Sequence, residues 1–167
     1  MSETLERLWR CVSMMIGRGR IRLTNDAAGV QELQVQLSAA EVRDNAPRIA
    51  EFGFSSVPPA GSDAVLIFLG GERTEAIVIA TNHQPSRPRN LAAGESIQYS
   101  QDGKYVKITA SGGIIIETLG QGLTINGDVT VNGKVTATGD VKAGTISLET
   151  HVHSGVQAGS GNSGGPH

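Results

Sequence analysis

The apolar positions of the first sixteen residues recur with the spacing of an α-helix. Leu5, Leu8, Trp9 and Val12 share one face, because positions i, i+3, i+4 and i+7 lie on the same side of a helix. The pattern predicts a short amphipathic helix over residues 1–16. Two interpretations of its apolar face are open: it packs on the chain's own domain, or it docks on a larger partner. A tryptophan on such a face suits an interface.

From residue 17 to residue 81 the pattern changes to that of β-strands. Residues 20–23 and 33–37 alternate between apolar and polar, residues 65–69 form a continuous apolar run, and residues 76–80 form another apolar segment. A polar loop is expected between the second and third of these strands, through Pro47. About five short strands in a segment of this length are typical of a small barrel of the OB type. We expect this barrel, with its linker, to cover residues 17–90.

Some OB barrels bind single-stranded nucleic acid, which requires aromatic stacking platforms and a basic groove. The barrel holds only three aromatic residues, Phe52, Phe54 and Phe68, and Phe68 lies in an apolar run that predicts a core position. The arginines between residues 18 and 22 alternate with their neighbours, as on a solvated strand face. The net charge is −2 and the pI is about 6.1. Nucleic-acid binding is therefore an alternative that the composition does not favour.

Composition changes near residue 90. All ten arginines precede this point and all four lysines follow it, and the Pro-containing stretch 84–90 predicts a linker. No apolar run approaches the roughly 18 residues of a membrane helix, and the first residues lack the features of a signal peptide. The single cysteine excludes an intrachain disulfide framework. We expect a soluble protein made in a cytoplasm.

The second half contains a six-residue repeat. Residues 126–131, 132–137 and 138–143 each place glycine second and valine fourth, which predicts short strands joined at glycine corners in a β-helix. Three repeats are too few to enclose a core in one chain. Three identical chains that wind around a common axis solve this problem, so residues 91–150 are expected to form an intertwined trimeric β-helix needle.

Left-handed β-helix acyltransferases also combine six-residue repeats with trimers. In that family an aliphatic residue directly precedes the glycine or small residue over many turns, whereas Asn or Thr precedes each glycine here. The repeat also contains no histidine that would serve as a general base. A hexapeptide-type acyltransferase is a second alternative, which these two differences do not favour. We expect that the protein is not an enzyme and has no small-molecule substrate.

The candidate chemistry lies after the repeat, at His151 and His153. We expect the preceding strand, which contains residues 146–148, to continue through them, so that both imidazoles face the same side. One chain supplies half a metal site, and three chains supply six imidazoles on the axis. Six neutral nitrogen ligands favour iron or nickel over zinc, calcium or magnesium. His83 is expected on the surface, and the spacing of His167 assigns it no role. Residues 151–167 are expected to form the metal-bound apex.

These features together resemble the baseplate assembly protein V and puncturing-spike family of contractile-tailed phages and related bacteriocins, and the Mu-like branch fits best. The residues that carry the resemblance include Gly94-Glu95, Asp102-Gly103 and the segment 151–157, which reads His-Val-His-Ser-Gly-Val-Gln. The resemblance covers essentially the whole chain. It implies an all-β fold: a short N-terminal helix, an OB-like barrel, a trimeric needle and a metal-bound tip.

The resemblance also implies a function. Members of the family are homotrimeric spikes at the tip of the tail baseplate in the virion. They sit on the tail hub and baseplate proteins, are made in the host cytoplasm, and pierce the host outer membrane. His151 and His153 lie where the family holds its apical iron, Fe²⁺, one ion per trimer. Further axial ions occur in the family, but the resemblance assigns no residues to them here.

Overall fold

The computed structural model describes residues 3–155 and Gly159. The chain is mostly β, with one short helix at the start and antiparallel sheets, as the sequence predicted. The helix α1 spans Glu3–Met14, within the predicted range 1–16. The strands are β1 (Ile16–Asn25), β2 (Glu32–Ser38), β3 (Glu41–Pro47), β4 (Asp63–Phe68), β5 (Ala76–Asn82), β6 (Ser96–Tyr99), β7 (Tyr105–Ile108), β8 (Ile114–Glu117), β9 (Lys142–Ala143) and β10 (Ile146–Ser147).

The first five strands form one antiparallel sheet in the order β3-β2-β1-β4-β5. Its two edge strands also meet, because Arg48 bridges Val78 and the backbone N–H of Ile49 donates to the carbonyl of Val78 at 3.0 Å. The polar loop expected through Pro47 is wrong, since β3 occupies residues 41–47. Only one of its residues, Ala46, is buried, so the strand has too weak an apolar pattern to be recognised from sequence.

The core of this five-stranded domain (residues 16–82) comes from alternate positions of its strands. Phe68, expected in the core, is fully buried. The apolar run 65–69 buries one side completely and the other only partly, and Leu69 is exposed. The buried apolar residues are Ile21, Leu33, Val35, Ala46, Ala64, Leu66, Phe68, Ala76 and Val78.

Two glycines allow β1 to lie close against its neighbours. A Cβ atom on Gly19 would lie 2.6 Å from the backbone oxygen of Gln36 and 2.6 Å from the Cγ1 of Val35. A Cβ atom on Gly17 would lie 2.7 Å from the Phe68 ring. These positions are therefore fixed as glycine by packing density rather than by an unusual backbone angle.

A second antiparallel sheet has the order β6-β7-β8. Its first turn is held by Asp102, which accepts hydrogen bonds from the Lys104 ammonium and the Ser100 hydroxyl. These bonds, led by that of Lys104, lower the pKa of Asp102 to about 2. Gly103 follows in this turn with φ 96°. Local hydrogen bonds and an ion pair therefore stabilise this turn.

The chain divides into two compact units, Met1–Leu123 and Thr124–His167. The hexad segment (residues 126–143) has no regular strand until β9, but bends at 127, 132–133 and 138–139 recur at the predicted spacing. A tight turn at Gly144, φ 62°, then joins β9 to β10. Among the described residues after Val78, none is buried. The described part of the chain also contains no helix long and apolar enough to cross a membrane.

Candidate metal centre and docking helix

The chain turns immediately before the histidine pair. Strand β10 ends at Ser147, and residues 148–150 form a turn. The Thr150 N–H donates to the Ser147 hydroxyl at 3.0 Å, and the His151 N–H donates to the Ser147 carbonyl at 3.1 Å. The expectation that the strand continues through His153 is therefore wrong, because Ser147 draws the following backbone into a local turn.

The two imidazoles nevertheless lie together. The ring centroids of His151 and His153 are 5.2 Å apart, and the ring planes are inclined by 79°. The Nδ1 of His151 lies 2.9 Å from the Ser147 carbonyl oxygen and 3.2 Å from that of Leu148. A carbonyl oxygen only accepts hydrogen bonds, so Nδ1 must donate, which leaves the Nε2 lone pair for a metal ion. This tautomer and the neighbouring ring fit a metal-ligating histidine pair.

A single chain supplies only two such ligands. Within residues 3–155, no three His, Cys, Asp or Glu side chains come together as a metal-binding group. His83 pairs instead with the Ser86 hydroxyl, at 2.7 Å from Nδ1. His167 lies outside the described residues. The two imidazoles of one chain therefore supply only part of a metal site.

The repeat that precedes the histidines leaves its apolar side chains uncovered. Every one of these residues is exposed, and Val135 retains 75% of its accessible surface. Exposed apolar side chains at regular intervals indicate a surface that another chain covers. The exposed apolar residues from 119 to 141 are Leu119, Leu123, Ile125, Val129, Val131, Val135 and Val141.

The helix α1 presents its predicted apolar face to solvent. Leu5, Leu8, Trp9 and Val12, here called the docking face, are all more than half exposed, and α1 has no buried residue. The sequence left two interpretations of this face open. In the structure, the face does not pack on the chain's own domain. These four residues remain a candidate surface for a partner.

The end of α1 is attached to the five-stranded domain. The backbone N–H of Phe68 donates to the Met15 carbonyl at 2.8 Å. The guanidinium of Arg73 lies 4.1 Å from the centre of the Phe68 ring, and its Nη1 lies 3.5 Å from the Met14 carbonyl oxygen. The same guanidinium forms two bonds with Glu41, at 3.0 and 2.8 Å. These bonds and the charge of Arg73 lower the pKa of Glu41.

The arginines of β1 lie on an exposed face, as expected, but they have partners. Asp63 lies 3.3 Å from Arg18 and 3.4 Å from Arg20, and it accepts a hydrogen bond from Gln84. The Gln84 bond and then those of the arginines lower the pKa of Asp63. Arg22 donates to the side-chain oxygen of Gln36. Sequence patterns identified neither this network nor the Arg73–Glu41 pair, because each joins residues that are distant along the chain.

Comparison with known proteins finds two family models that match this chain, one in the five-stranded domain and one at the histidine pair. Residues 18–85 match the family model "Bacteriophage Mu Gp45, N-terminal", and residues 146–167 match the model "GpV Apex motif". The apex motif is a metal-binding motif, which supports a metal at this end of the chain. The two matches define a class of phage tail proteins.

Two curated proteins are similar along the chain. The Mu-like prophage FluMu protein gp45 of Haemophilus influenzae is 32% identical over 65% of this chain. The baseplate puncturing device gp45 of Escherichia phage Mu is 32% identical over 70% of it. The alignments span 59% of each relative's length. The chain belongs to the phage Mu Gp45 family, with the N-terminal family domain at residues 18–85 and the apex motif at residues 146–167.

Proposed function

We propose that this protein is the homotrimeric central spike of a contractile-tail baseplate, which pierces the host outer membrane. The observation that carries the proposal is the hexad segment, whose apolar residues are exposed in one chain and which leads directly to a paired-imidazole half-site. Both features are incomplete in one copy, and three copies complete both. The relative named a baseplate puncturing device supports the same function.

The proposed architecture has four parts. Residues 1–16 dock on a partner, residues 17–90 form an OB-like barrel with its linker, and residues 151–167 form the apex. Residues 91–150 form the trimeric β-helix, which begins with the antiparallel sheet β6-β7-β8 of each chain. The barrel is supported by the strand order β3-β2-β1-β4-β5 and by the bridge between Arg48 and Val78, which joins the two edges of the sheet. The β-helix is supported by the bends that recur every six residues.

We propose one Fe²⁺ ion per trimer at the apex, held by His151 and His153 of each chain. Six neutral imidazoles would give an all-nitrogen set of ligands, for which ligand chemistry leaves iron or nickel. The family resemblance selects iron. The bound ion would supply only a structural link between the three tips. The residues of this chain hold that link in place, because the Ser147 and Leu148 carbonyls fix the His151 ring.

The mechanism of piercing is mechanical. A rod whose backbone hydrogen bonds run between chains has few open strand edges, so it stays rigid and does not aggregate through its sides. A metal-clamped tip resists fraying where the spike first meets the membrane. The function is structural and not enzymatic, in line with the relative that is a baseplate puncturing device. The protein would be made in the host cytoplasm and reside at the tip of the tail baseplate in the virion.

The docking face of α1 would seat the spike on the tail hub or another baseplate protein. Its four apolar side chains carry enough exposed surface to act as interface anchors, and tryptophan is prominent among such anchors. Replacing Trp9 by Ala should reduce the incorporation of the spike into tails without lowering its melting temperature. Normal incorporation of this variant would overturn the assignment of the docking face.

Elemental analysis of the purified protein tests the proposal. Light scattering should give a mass of about 52 kDa, three times the 17.4 kDa of one chain, and the protein should contain one iron per three chains. The double variant His151→Ala/His153→Ala should lose the iron and remain a trimer, because the barrel and repeat do not depend on the metal. The matched control His83→Ala should keep it. Since ligating imidazoles must be neutral, acid should release the ion.

The two alternative functions are outcomes of further binding measurements. Acetyl-CoA should cause no thermal shift, and saturable binding of it would favour an acyltransferase. Single-stranded DNA should not bind at physiological salt, and a binding constant that falls steeply with salt would favour a nucleic-acid-binding barrel. A stable folded monomer at micromolar concentration would overturn the spike itself.

A further inference from the structure

The hexad segment carries a charge at one repeating position. The third residue of each hexad follows the bend glycine and precedes the valine, and it is Asp128, Lys134 and Asp140 in turn. All three residues are exposed in the single chain, although the Asp140 side chain retains only 22% of its accessible surface. Of these, Asp140 has local partners, since its Oδ1 accepts from the Glu149 N–H at 3.2 Å and its Oδ2 lies 4.0 Å from the Lys142 ammonium. The charge at this position therefore alternates: negative, positive, negative.

The fourth position does not distinguish one hexad from the next, because Val129, Val135 and Val141 occupy it. The fifth position holds Thr130, Thr136 and Lys142, so it differs only in the last hexad. A strand that slips by six residues would place the same valine against the same valine. Apolar packing alone therefore does not fix the register between chains, because a shift by one or two whole hexads keeps the same valine contacts.

We propose that Asp128, Lys134 and Asp140 form a ladder of ion pairs between chains that sets this stacking. The inference rests on the proposed trimer. When three chains wind together, each hexad on one face lies between the preceding hexad of one neighbour and the following hexad of the other. Parallel strands in this arrangement are about 4.8 Å apart. Lys134 of one chain then lies between Asp128 of a second chain and Asp140 of the third.

Other stackings place like charges together. If equal hexads stack, Asp128 meets Asp128 and Lys134 meets Lys134; if hexads two apart stack, Asp128 meets Asp140. Like charges directly opposite one another in a sheet are destabilising, whereas opposite charges are stabilising. Each of the three Lys134 residues has two carboxylate neighbours, which gives six ion pairs in the trimer. A single exposed ion pair contributes little to stability. In the trimer, however, a change of stacking would turn all six attractive pairs into repulsive ones at once.

Charge reversal tests the ladder. Lys134→Glu in the full-length protein should lower the melting temperature of the trimer by about 5 °C or more at low salt. The difference should shrink in 1 M NaCl, where the Debye length is about 3 Å. Adding Asp128→Lys and Asp140→Lys to this variant should restore most of the loss. The matched control Arg89→Glu, the same change of charge at an exposed linker position, should leave the melting temperature unchanged.

Engineered cysteines test the stacking independently. With Cys11→Ser as background, Thr130→Cys/Thr136→Cys should form disulfides between chains under mild oxidation, because the two positions become neighbours on adjacent chains. Thr130→Cys alone should not. Crosslinking by the single variant, or equal melting temperatures for Lys134→Glu and Arg89→Glu, would overturn the ladder while the trimer stands. A wild-type monomer would overturn the proposed function instead.

Discussion

The five-stranded domain and the hexad segment solve the burial of apolar side chains in opposite ways. Within residues 16–82, alternate strand positions converge on Phe68, Ile21 and Leu66, which one chain covers completely. Within residues 126–143, Val129, Val135 and the other apolar residues remain exposed. Both segments are rich in β-branched residues. The difference is that the five strands bury a common apolar side within one chain, whereas the hexads leave their apolar side chains exposed.

This contrast separates two kinds of stability in one molecule. Fully burying a Val or Leu side chain contributes roughly 1.5–3 kcal/mol. The five-stranded domain gains that free energy when the chain folds, so it is independent of protein concentration. In the proposed trimer, the hexad segment would gain it only on association, so its stability should depend on protein concentration. Each of the following changes is directed at one side of this contrast.

The largest effect should come from dividing the chain at the linker. A fragment ending at residue 90 should fold as a monomer, because its core is complete, whereas residues 91–167 should still form trimers. Light scattering and circular dichroism of both fragments measure this directly. If the fragment 1–90 formed trimers, the association surface would lie in the first half of the chain, which would contradict this prediction.

A core substitution should destabilise the five-stranded domain strongly. Phe68→Ala removes a fully buried ring and the cation–π contact with Arg73, so the free energy of unfolding should fall by about 3–5 kcal/mol. Denaturation of the fragment ending at residue 90 measures the change. Phe52→Ala is the control, since Phe52 is fully exposed and the same truncation should have almost no effect there. Similar losses in both variants would contradict the assignment of the core.

A smaller effect should follow from adding one methyl group to β1. Gly19→Ala places a Cβ 2.6 Å from the Gln36 backbone oxygen, so the strands must separate, at a cost of about 1–3 kcal/mol. Gly29→Ala is the matched control, because nothing lies within 4 Å of its Cβ position, and it should be neutral or slightly stabilising. An unchanged melting temperature for Gly19→Ala would show that β1 and β2 are not closely packed at this position.

The smallest effect concerns pH and the Arg73–Glu41 pair. The pKa of Glu41 is lowered in the folded state, so its contribution to stability is present above the ordinary value of 4.5 and is lost as pH falls through the lowered value. Glu41→Gln should therefore reduce the loss of stability between pH 5 and pH 3, at a cost of about 1 kcal/mol near pH 7. Denaturation midpoints across this range measure it. A pH profile of Glu41→Gln identical to that of the wild type would exclude the pair as an acid-sensitive contact.

The sequence predicted those features that depend on local periodicity. Helix α1, strands β1, β2, β4 and β5, and the bends of the hexad segment follow from apolar spacing and glycine positions. Strand β3 was missed because its pairing with β2, and not its own pattern, makes it a strand. The turn at Ser147 was missed because the Ser147 hydroxyl accepts the Thr150 N–H and the Ser147 carbonyl accepts the His151 N–H, which no alternation of apolar residues indicates.

The candidate metal site was predictable only in part. Residues 151 and 153 were identified by residue type and spacing, and their rings do lie together. The carbonyl partners of His151 depend on the turn before it, so they required coordinates. The Arg73 contacts with Glu41 and Phe68 join distant segments, and a single sequence contains no local signal for them.

The attachment of α1 at its last turn gives the molecule a defined load path. A push on the docking face travels along the helix to Met15, whose carbonyl is bonded to the backbone of Phe68. The ring of that residue sits at the centre of the five-stranded core, with the Arg73 guanidinium against it. The end of the helix is therefore anchored to the core. A load on the docking face would be passed to a fully buried residue of the sheet rather than to a surface loop.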